Sequence, residues 1–294
     1  MTIHHISLSL LSTLLISLLT ACSNDEPDAA NHATPIKFAS PSLTAASRAT
    51  PVTNATITDF GVFAALNPDS LDSSSTLTAD YMYDVQATSA TSWSPVGEYY
   101  WPGSRTPLRF NAYSPYRAKG ITAMPDRSLP GSPSIVFTVP ANPQEQPDLL
   151  RATPVNASQS PCALTFNHAL AAVTFTAGDA LSPCTVSSIT LSRIPSTATL
   201  NLETGLWSDI SAPATFTIDT DVTLTAAEGS PYVTPSTAIS PSEATLMLIP
   251  QTLPADATLT VEFTPAGGDA TTKSISIAGL SLTAGLTTDI RLSF

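Results

Sequence analysis

Short runs in which every second residue is apolar recur along the chain. The clearest spans 258–264, where Leu259, Val261 and Phe263 alternate with Thr260, Glu262 and Thr264. In 164–166 and 173–175 a threonine again separates two apolar residues. A period of two sends successive side chains to opposite faces, so threonine outside with aliphatic or aromatic residues inside describes a half-buried antiparallel strand. The same reading covers 36–38, 56–64, 108–113, 134–139, 163–176, 185–194, 214–218, 244–249, 272–277 and 287–294. After Leu19 no segment carries a convincing helical period, and Pro, Gly, Ser or Asn bound the runs. Many short strands at close spacing predict an all-β sandwich fold, antiparallel and with few or no helices, rather than an α/β one.

Breaker-rich stretches separate the runs. The segment 67–75 is rich in Ser and Asp, 116–133 mixes Pro, Gly and charges, and 140–161 contains Pro140, Pro143, Pro147, Pro154 and Pro161. Proline lacks the N–H that a central strand needs, so 140–161 reads as a long connection. Its end, near residue 160, is the expected boundary between an N-terminal β-sandwich domain over 49–160 and a C-terminal one over 161–294. About 270 residues beyond a leader suit two such domains, or one large all-β domain.

The first residues follow another logic. An apolar run from Ile6 to Leu19 ends in Leu19-Thr20-Ala21-Cys22 and is followed by Ser23-Asn24-Asp25-Glu26. About fourteen apolar residues are short for a membrane span, which needs roughly twenty; a short apolar segment closed by small residues and a cysteine reads as a lipoprotein signal peptide over 1–21. Cys22 is then the expected lipidation site, carrying enough acyl chain to hold the chain on a membrane. Segment 22–48 becomes a lipidated tail with a first strand at its end.

Charged residues are 12% of the chain, the net charge is -12, and the lysines are Lys37, Lys119 and Lys273. Nucleic acid is therefore a disfavoured partner, because its binding needs clustered cations that release counterions.

Several segments, in order, resemble the fimbrillin-like (Mfa-like) family of lipoprotein pilins and surface proteins of Bacteroides-type anaerobes. They are Arg48-Ala49-Thr50-Pro51 followed by Phe60-Gly61-Val62-Phe63-Ala64, Trp93 with Tyr99-Tyr100-Trp101-Pro102, and Phe110-Asn111-Ala112-Tyr113-Ser114-Pro115. Asp148-Leu149-Leu150-Arg151-Ala152, the run 164–171 (LTFNHALA) and Leu246-Met247-Leu248-Ile249-Pro250-Gln251 continue the series. The resemblance implies two transthyretin-like β-sandwich domains and a fimbrial structural or accessory subunit at the outer membrane or cell surface. It implies cleavage between Arg48 and Ala49, and assembly with other fimbrial subunits by strand exchange, supporting adhesion or biofilm formation. The expected donor strand carries Ile290, Leu292 and Phe294. Two features depart from the pattern: the family's tryptophan before the final strand is absent from 280–286, and the sequence stops flush with that strand. The acids after Cys22 resemble the surface-export signal of these bacteria, and Asp69-Ser70-Leu71 fits their short O-glycosylation signal at Ser70.

Candidate chemistry is sparse. Of four histidines, His4 and His5 leave with the signal, His32 sits in the tail, and His168 alone falls within a domain. A nucleophile with a positioned base, or a zinc site with three or four ligands, finds too few groups, so no enzyme activity, metal or cofactor is expected and His168 reads as a strand residue. Cys162 and Cys184 are expected to stay unpaired: if 163–176 is one strand, it separates them by about 45 Å against a Cα limit near 7 Å. Trp93, Tyr99, Tyr100, Trp101 and Tyr113 read as the hydrophobic core of the first sandwich, with a carbohydrate platform as the alternative. Asp219 and Asp221 read as surface acids. The competing function is a non-polymerising surface lipoprotein that binds glycan.

Overall fold

The computed structural model describes residues 34–44, 57–66, 80–103, 106–124, 132–241 and 244–294. The expected signal peptide 1–21, Cys22, the Arg48–Ala49 bond and Ser70 lie outside the described residues. Among the described residues, regular structure is β-strand apart from a 3-10 turn at Pro143–Glu145.

Eight strands form the N-terminal sheet: β1 (Ser42–Leu43), β2 (Asp59–Leu66), β3 (Met82–Ser89), β4 (Trp93–Pro95), β5 (Leu108–Ser114), β8 (Leu150–Ala152), β9 (Val155–Ala157) and β10 (Thr165–His168). Their order is β1-β10-β8-β5-β2-β3-β4, with β9 also on β5. β1 runs parallel to β10 and the remaining neighbours are antiparallel. Segment 34–44, which ends in β1, also bridges Trp93 of β4 through Phe38. The sheet therefore closes on itself through this segment. Inside it lie Phe60, Val62, Phe110, Ala112, Leu150 and Phe166. β2 is buried on both faces, and its other face sends Phe63 into the second core, which is why its sequence reads as a continuous apolar run instead of alternating.

The second core lies between two further sheets. One comprises β6 (Ile121–Ala123), β7 (Ser134–Thr138), β12 (Cys184–Asn201), β13 (Trp207–Leu224), β16 (Thr258–Pro265) and β17 (Thr271–Ser276). Here β13 flanks β12 along its length, while β16 and β7 share the opposite side in tandem. The other comprises β14 (Leu246–Leu248), β11 (Ala171–Ala177) and β19 (Thr287–Leu292), with β19 parallel to β11. β15 (Gln251–Thr252) and β18 (Ser281–Leu282) form a small ribbon. Phe137, Phe175, Ile189, Leu191, Phe216 and Leu259 fill the space between. Threonine pairs such as Thr190–Thr217 and Thr185–Thr223 hydrogen-bond across the exposed face, where hydroxyls take the role that ion pairs fill in more charged proteins.

Sheet membership does not change over once near residue 160. β6 and β7 precede that point and lie in the C-terminal sheet; β10 follows it and lies in the N-terminal one. The expected single strand 163–176 is two strands. It breaks at Ala169-Leu170, where the chain crosses between cores and the backbone bonds leave the sheet: Ala169 N–H reaches Leu149 O, and the carbonyls of Ala169 and Leu170 accept from Trp207 Nε1 and Gly285 N.

Two arginines tie the halves together. The Arg151 guanidinium of β8 donates to Leu202 O at 2.7 Å and Glu203 O at 2.6 Å, in the turn between β12 and β13, and Arg109 of β5 pairs with the Glu203 carboxylate. Burial lowers the Arg151 pKa, opposed by nearby Glu203 and assisted by Arg109.

Candidate functional site

The segment Thr34-Pro35-Ile36-Lys37-Phe38-Ala39-Ser40-Pro41-Ser42-Leu43-Thr44 is short enough to look incidental, yet it is bonded along both sides. Ile36 N donates to Tyr99 O and Phe38 N to Trp93 O, each at 2.9 Å. Ala39 N donates to Cys162 O at 2.8 Å, Ser42 N to Leu164 O at 3.1 Å and Thr44 N to Phe166 O at 2.9 Å. In return, Trp101 N donates to Thr34 O and Cys162 N to Lys37 O. Ser160 completes the frame: its hydroxyl accepts from Lys37 N and Trp101 Nε1 and donates to Pro35 O, at 2.8–2.9 Å.

Alternation decides which side chains enter. Ile36 is 1% exposed and Phe38 3%, while Lys37 between them is exposed. The Phe38 ring meets Phe60 and Phe110 edge-on at 5.3 and 5.8 Å. Two such side chains contribute about 1.5–3 kcal/mol each by burial. Pro35 and Pro41 occupy places where no amide is needed. Between Ala39 and Ser42 the segment spends three residues against two of its partner, a bulge that turns Pro41 inward and leaves Ser40 exposed. Beside that bulge opens a cavity of about 640 Å³ lined by Ser40, Pro41, Ser42, Ile57, Thr58, Ser89 and Trp93.

Removing 34–44 would bare two edges, one at Trp93 and Tyr99–Trp101 and one at Cys162–Phe166. Paired edges of this kind are strong templates for another extended chain. Cys162 lies beside the segment, bonded to it through Lys37 and Ala39; it is 2% exposed, and burial pushes its thiol up to about 12. Cys184 is also a buried free thiol, in the second core, and the two are not bridged.

The expected donor residues lie on β19 and just beyond it. β19 pairs with β11 of the same chain, from Ala172 opposite Thr287 to Ala177 opposite Leu292. Leu292 is buried, Ile290 and Phe294 are half-buried, and Phe294 stacks on Phe263 at 4.0 Å with Lys273 Nζ 5.6 Å from its ring. This strand is engaged in its own sheet.

The other residues singled out in the sequence are distributed through the fold. His168 is buried in β10 opposite Leu150, with Nδ1 2.8 Å from Asp148 Oδ2. Trp101 is in the first core, with Trp93 and Tyr99 half-buried against it and Tyr100 exposed. Contrary to the expectation of a first-sandwich core for all five aromatics, Tyr100 faces solvent and Tyr113, on the other face of β5, belongs to the second core. Its hydroxyl donates to buried Asp84 at 2.7 Å, and burial, then this bond, raise its pKa. Gly61 faces Tyr113 across the sheet because a Cβ there would run into the ring. Asp219 and Asp221 stand exposed on β13. Sequence reasoning did not find Ser160 or the two arginines: a serine among many, Arg109 inside a predicted strand and Arg151 inside a family motif carry no local signal of their long-range partners.

No curated protein matches this chain. Among solved structures it is similar to a fimbrial protein from Bacteroides vulgatus, at 16% identity over 88% of this chain and 95% of that one, with a TM-score of 0.61. A candidate cell adhesion protein from Bacteroides ovatus matches at 17% identity over 89% and 92%, TM-score 0.54. Another from Bacteroides uniformis matches at 20% over 89% and 94%, TM-score 0.50. These likenesses show a shared fold. The model of a family described as fimbrillin-like matches residues 47–294, beginning one residue before Arg48 and leaving out segment 34–44. The chain belongs to the fimbrillin-like family.

Proposed function

We propose that this chain is a structural or accessory subunit of a cell-surface fimbria, exported as an outer-membrane lipoprotein on Cys22, cut between Arg48 and Ala49, and assembled by strand exchange in support of adhesion. The observation that carries the reading is segment 34–44. It completes the first core with Ile36 and Phe38, is bonded on both sides, and joins the rest of that core through 45–56, which contains Arg48. One cut there converts a covalent stave into a separable peptide. The vacated groove then accepts an extended strand from another subunit, an instance of β-strand addition. The donor in this reading is the strand carrying Ile290, Leu292 and Phe294, which leaves β11 when it is donated. Ser70 is a proposed glycosylation site on the same surface protein.

Treatment of the purified chain with an Arg-specific protease, followed by size-exclusion chromatography and electron microscopy, tests this. Ladders or filaments that begin at Ala49 are the expected product. A clipped, stable monomer would instead favour a non-polymerising surface role.

A further inference from the structure

The groove and the C-terminal strand share a pattern. Aligned without gaps, Thr34-Pro35-Ile36-Lys37-Phe38-Ala39-Ser40 matches Thr288-Asp289-Ile290-Arg291-Leu292-Ser293-Phe294: Thr, any residue, Ile, a cation, a large apolar residue and a small one, in that order. They part at the last position, serine in one and phenylalanine in the other. We infer that the cavity bounded by Ile57, Thr58, Ser89 and Trp93 is a subsite for the aromatic side chain at the third inward position of an entering strand, and that Phe294 of a second copy fills it, with Ile290 in the place of Ile36 and Leu292 in the place of Phe38. This rests on the strand-exchange reading above and specifies its register.

The groove's bonding requirements agree with that register. It presents Tyr99 O, Trp93 O, Cys162 O and Ser160 Oγ to the amides at positions 36, 38, 39 and 37. The matching residues Ile290, Leu292, Ser293 and Arg291 each carry an N–H, as none is proline. The carbonyls of Thr288, Asp289 and Arg291 would meet Trp101 N, the Ser160 hydroxyl and Cys162 N, as those of Thr34, Pro35 and Lys37 do now.

Side chains give the direction of exchange. A regular strand would turn its position-40 side chain inward, but the resident segment bulges there, exposing Ser40, turning Pro41 inward and leaving a solvent-open recess between itself and Ile57, Thr58, Ser89 and Trp93. Trp93 borders that space, its ring stacked on Phe60 at 5.2 Å, and buried Ile57 forms another wall. A phenylalanine at this position would cover the Trp93 ring, which the resident strand leaves partly exposed. In its own sheet β19 is an edge with one strand neighbour, and Ile290 and Phe294 are half-buried. In the groove the same strand is bonded on both sides, around pockets that bury Ile36 and Phe38 to 1% and 3% exposure.

The test uses the Arg-cleaved chain and fluorescent synthetic peptides of residues 34–44 and 287–294, read by anisotropy. The 287–294 peptide is expected to bind, and Phe294→Ser in it to weaken binding by about 10- to 100-fold. Ser89→Trp in the acceptor fills the subsite from within and should remove most of the difference between the wild-type and Phe294→Ser peptides, while the 34–44 peptide still rebinds and reports that the acceptor is folded. Equal affinity of the wild-type and Phe294→Ser peptides overturns the subsite. Rebinding of 34–44 without binding of 287–294 overturns the register while leaving strand exchange intact. Failure of both peptides, together with absence of oligomers after cleavage, would bring down the strand-exchange reading itself.

Discussion

In each half of the molecule one strand lies parallel to the last: 34–44, the first strand of the N-terminal core, beside β10, and β11 beside β19 in the C-terminal core. Both strands bury large apolar side chains, Phe38 in one and Phe175 in the other. They differ in attachment. β11 follows β10 after Ala169 and Leu170, whose backbone is held by Leu149, Trp207 and Gly285, so its position is fixed on both sides. Segment 34–44 reaches its core through 45–56, which carries an arginine. Equal burial therefore does not mean equal permanence in the proposed reading: a single cut in 45–56 would leave the first strand of the N-terminal core held by non-covalent contacts alone, whereas β11 stays joined to β10 through Ala169 and Leu170.

The largest expected effects break this comparison from both ends. Phe175→Ala and Phe38→Ala each remove a buried ring, at about 3–5 kcal/mol. Phe175→Ala should lower the melting temperature of the whole fold, whereas Phe38→Ala should appear first as local opening, with fast amide exchange confined to 34–44 and 162–166. Identical global destabilisation by both, with no local opening in Phe38→Ala, would show that the two strands are equally integral.

Next in size is the arginine clamp. Arg151→Ala removes two charge-assisted bonds to the turn at Leu202–Glu203, an expected loss of about 1.5–3 kcal/mol in denaturant unfolding. Hydrogen exchange should rise in the β12–β13 turn and leave 34–44 protected, because the clamp joins the halves without touching that segment.

A pH dependence sharpens the contrast further. Burial holds the Cys162 thiol up at about 12 in the closed form, against about 8.5 when unburied. A raised folded-state value means that the protonated thiol's contribution is complete below about pH 8.5 and is lost progressively as pH rises toward about 12. Release of 34–44 should therefore increase with pH across that window, and Cys162→Ala should flatten the dependence. The smallest effect is expected at Lys37, whose side chain faces solvent between the two buried ones: Lys37→Ala should stay within about 0.5 kcal/mol by the same unfolding assay.

Local alternation carried much of this into the sequence. Ile36 and Phe38 read as inward-facing from three residues, and 258–264 and 287–294 match β16 and β19 closely. Where alternation is interrupted, the reading fell short. β12 and β13 each span 18 residues, but bulges at Val186/Ser188, Ser192/Ile194 and Thr197/Thr199 shift the phase and Pro195 and Pro213 intervene, so only 185–194 and 214–218 were legible. β8 and β9 have three residues each inside a proline-rich stretch and read as loop, as did β6; β3 and β4 had no clear alternation to mark them. The parallel pairing of β19 with β11, and of 34–44 with 162–166, joins segments more than a hundred residues apart. No local pattern encodes that distance, which is why the two-sided groove emerged only from the fold.

The most direct measurement is the rate at which a thiol reagent modifies Cys162 compared with Cys184, before and after Arg-specific cleavage, in a chain carrying Cys22→Ser. Both thiols are buried and free, one in the first core on the edge that pairs with 34–44 and one in the second core. The account predicts that both react slowly in the intact chain, and that cleavage with loss of 34–44 accelerates Cys162 strongly while Cys184 stays protected. Loss of the segment with Cys162 still protected, or unmasking of both thiols together, would contradict a groove that opens on its own.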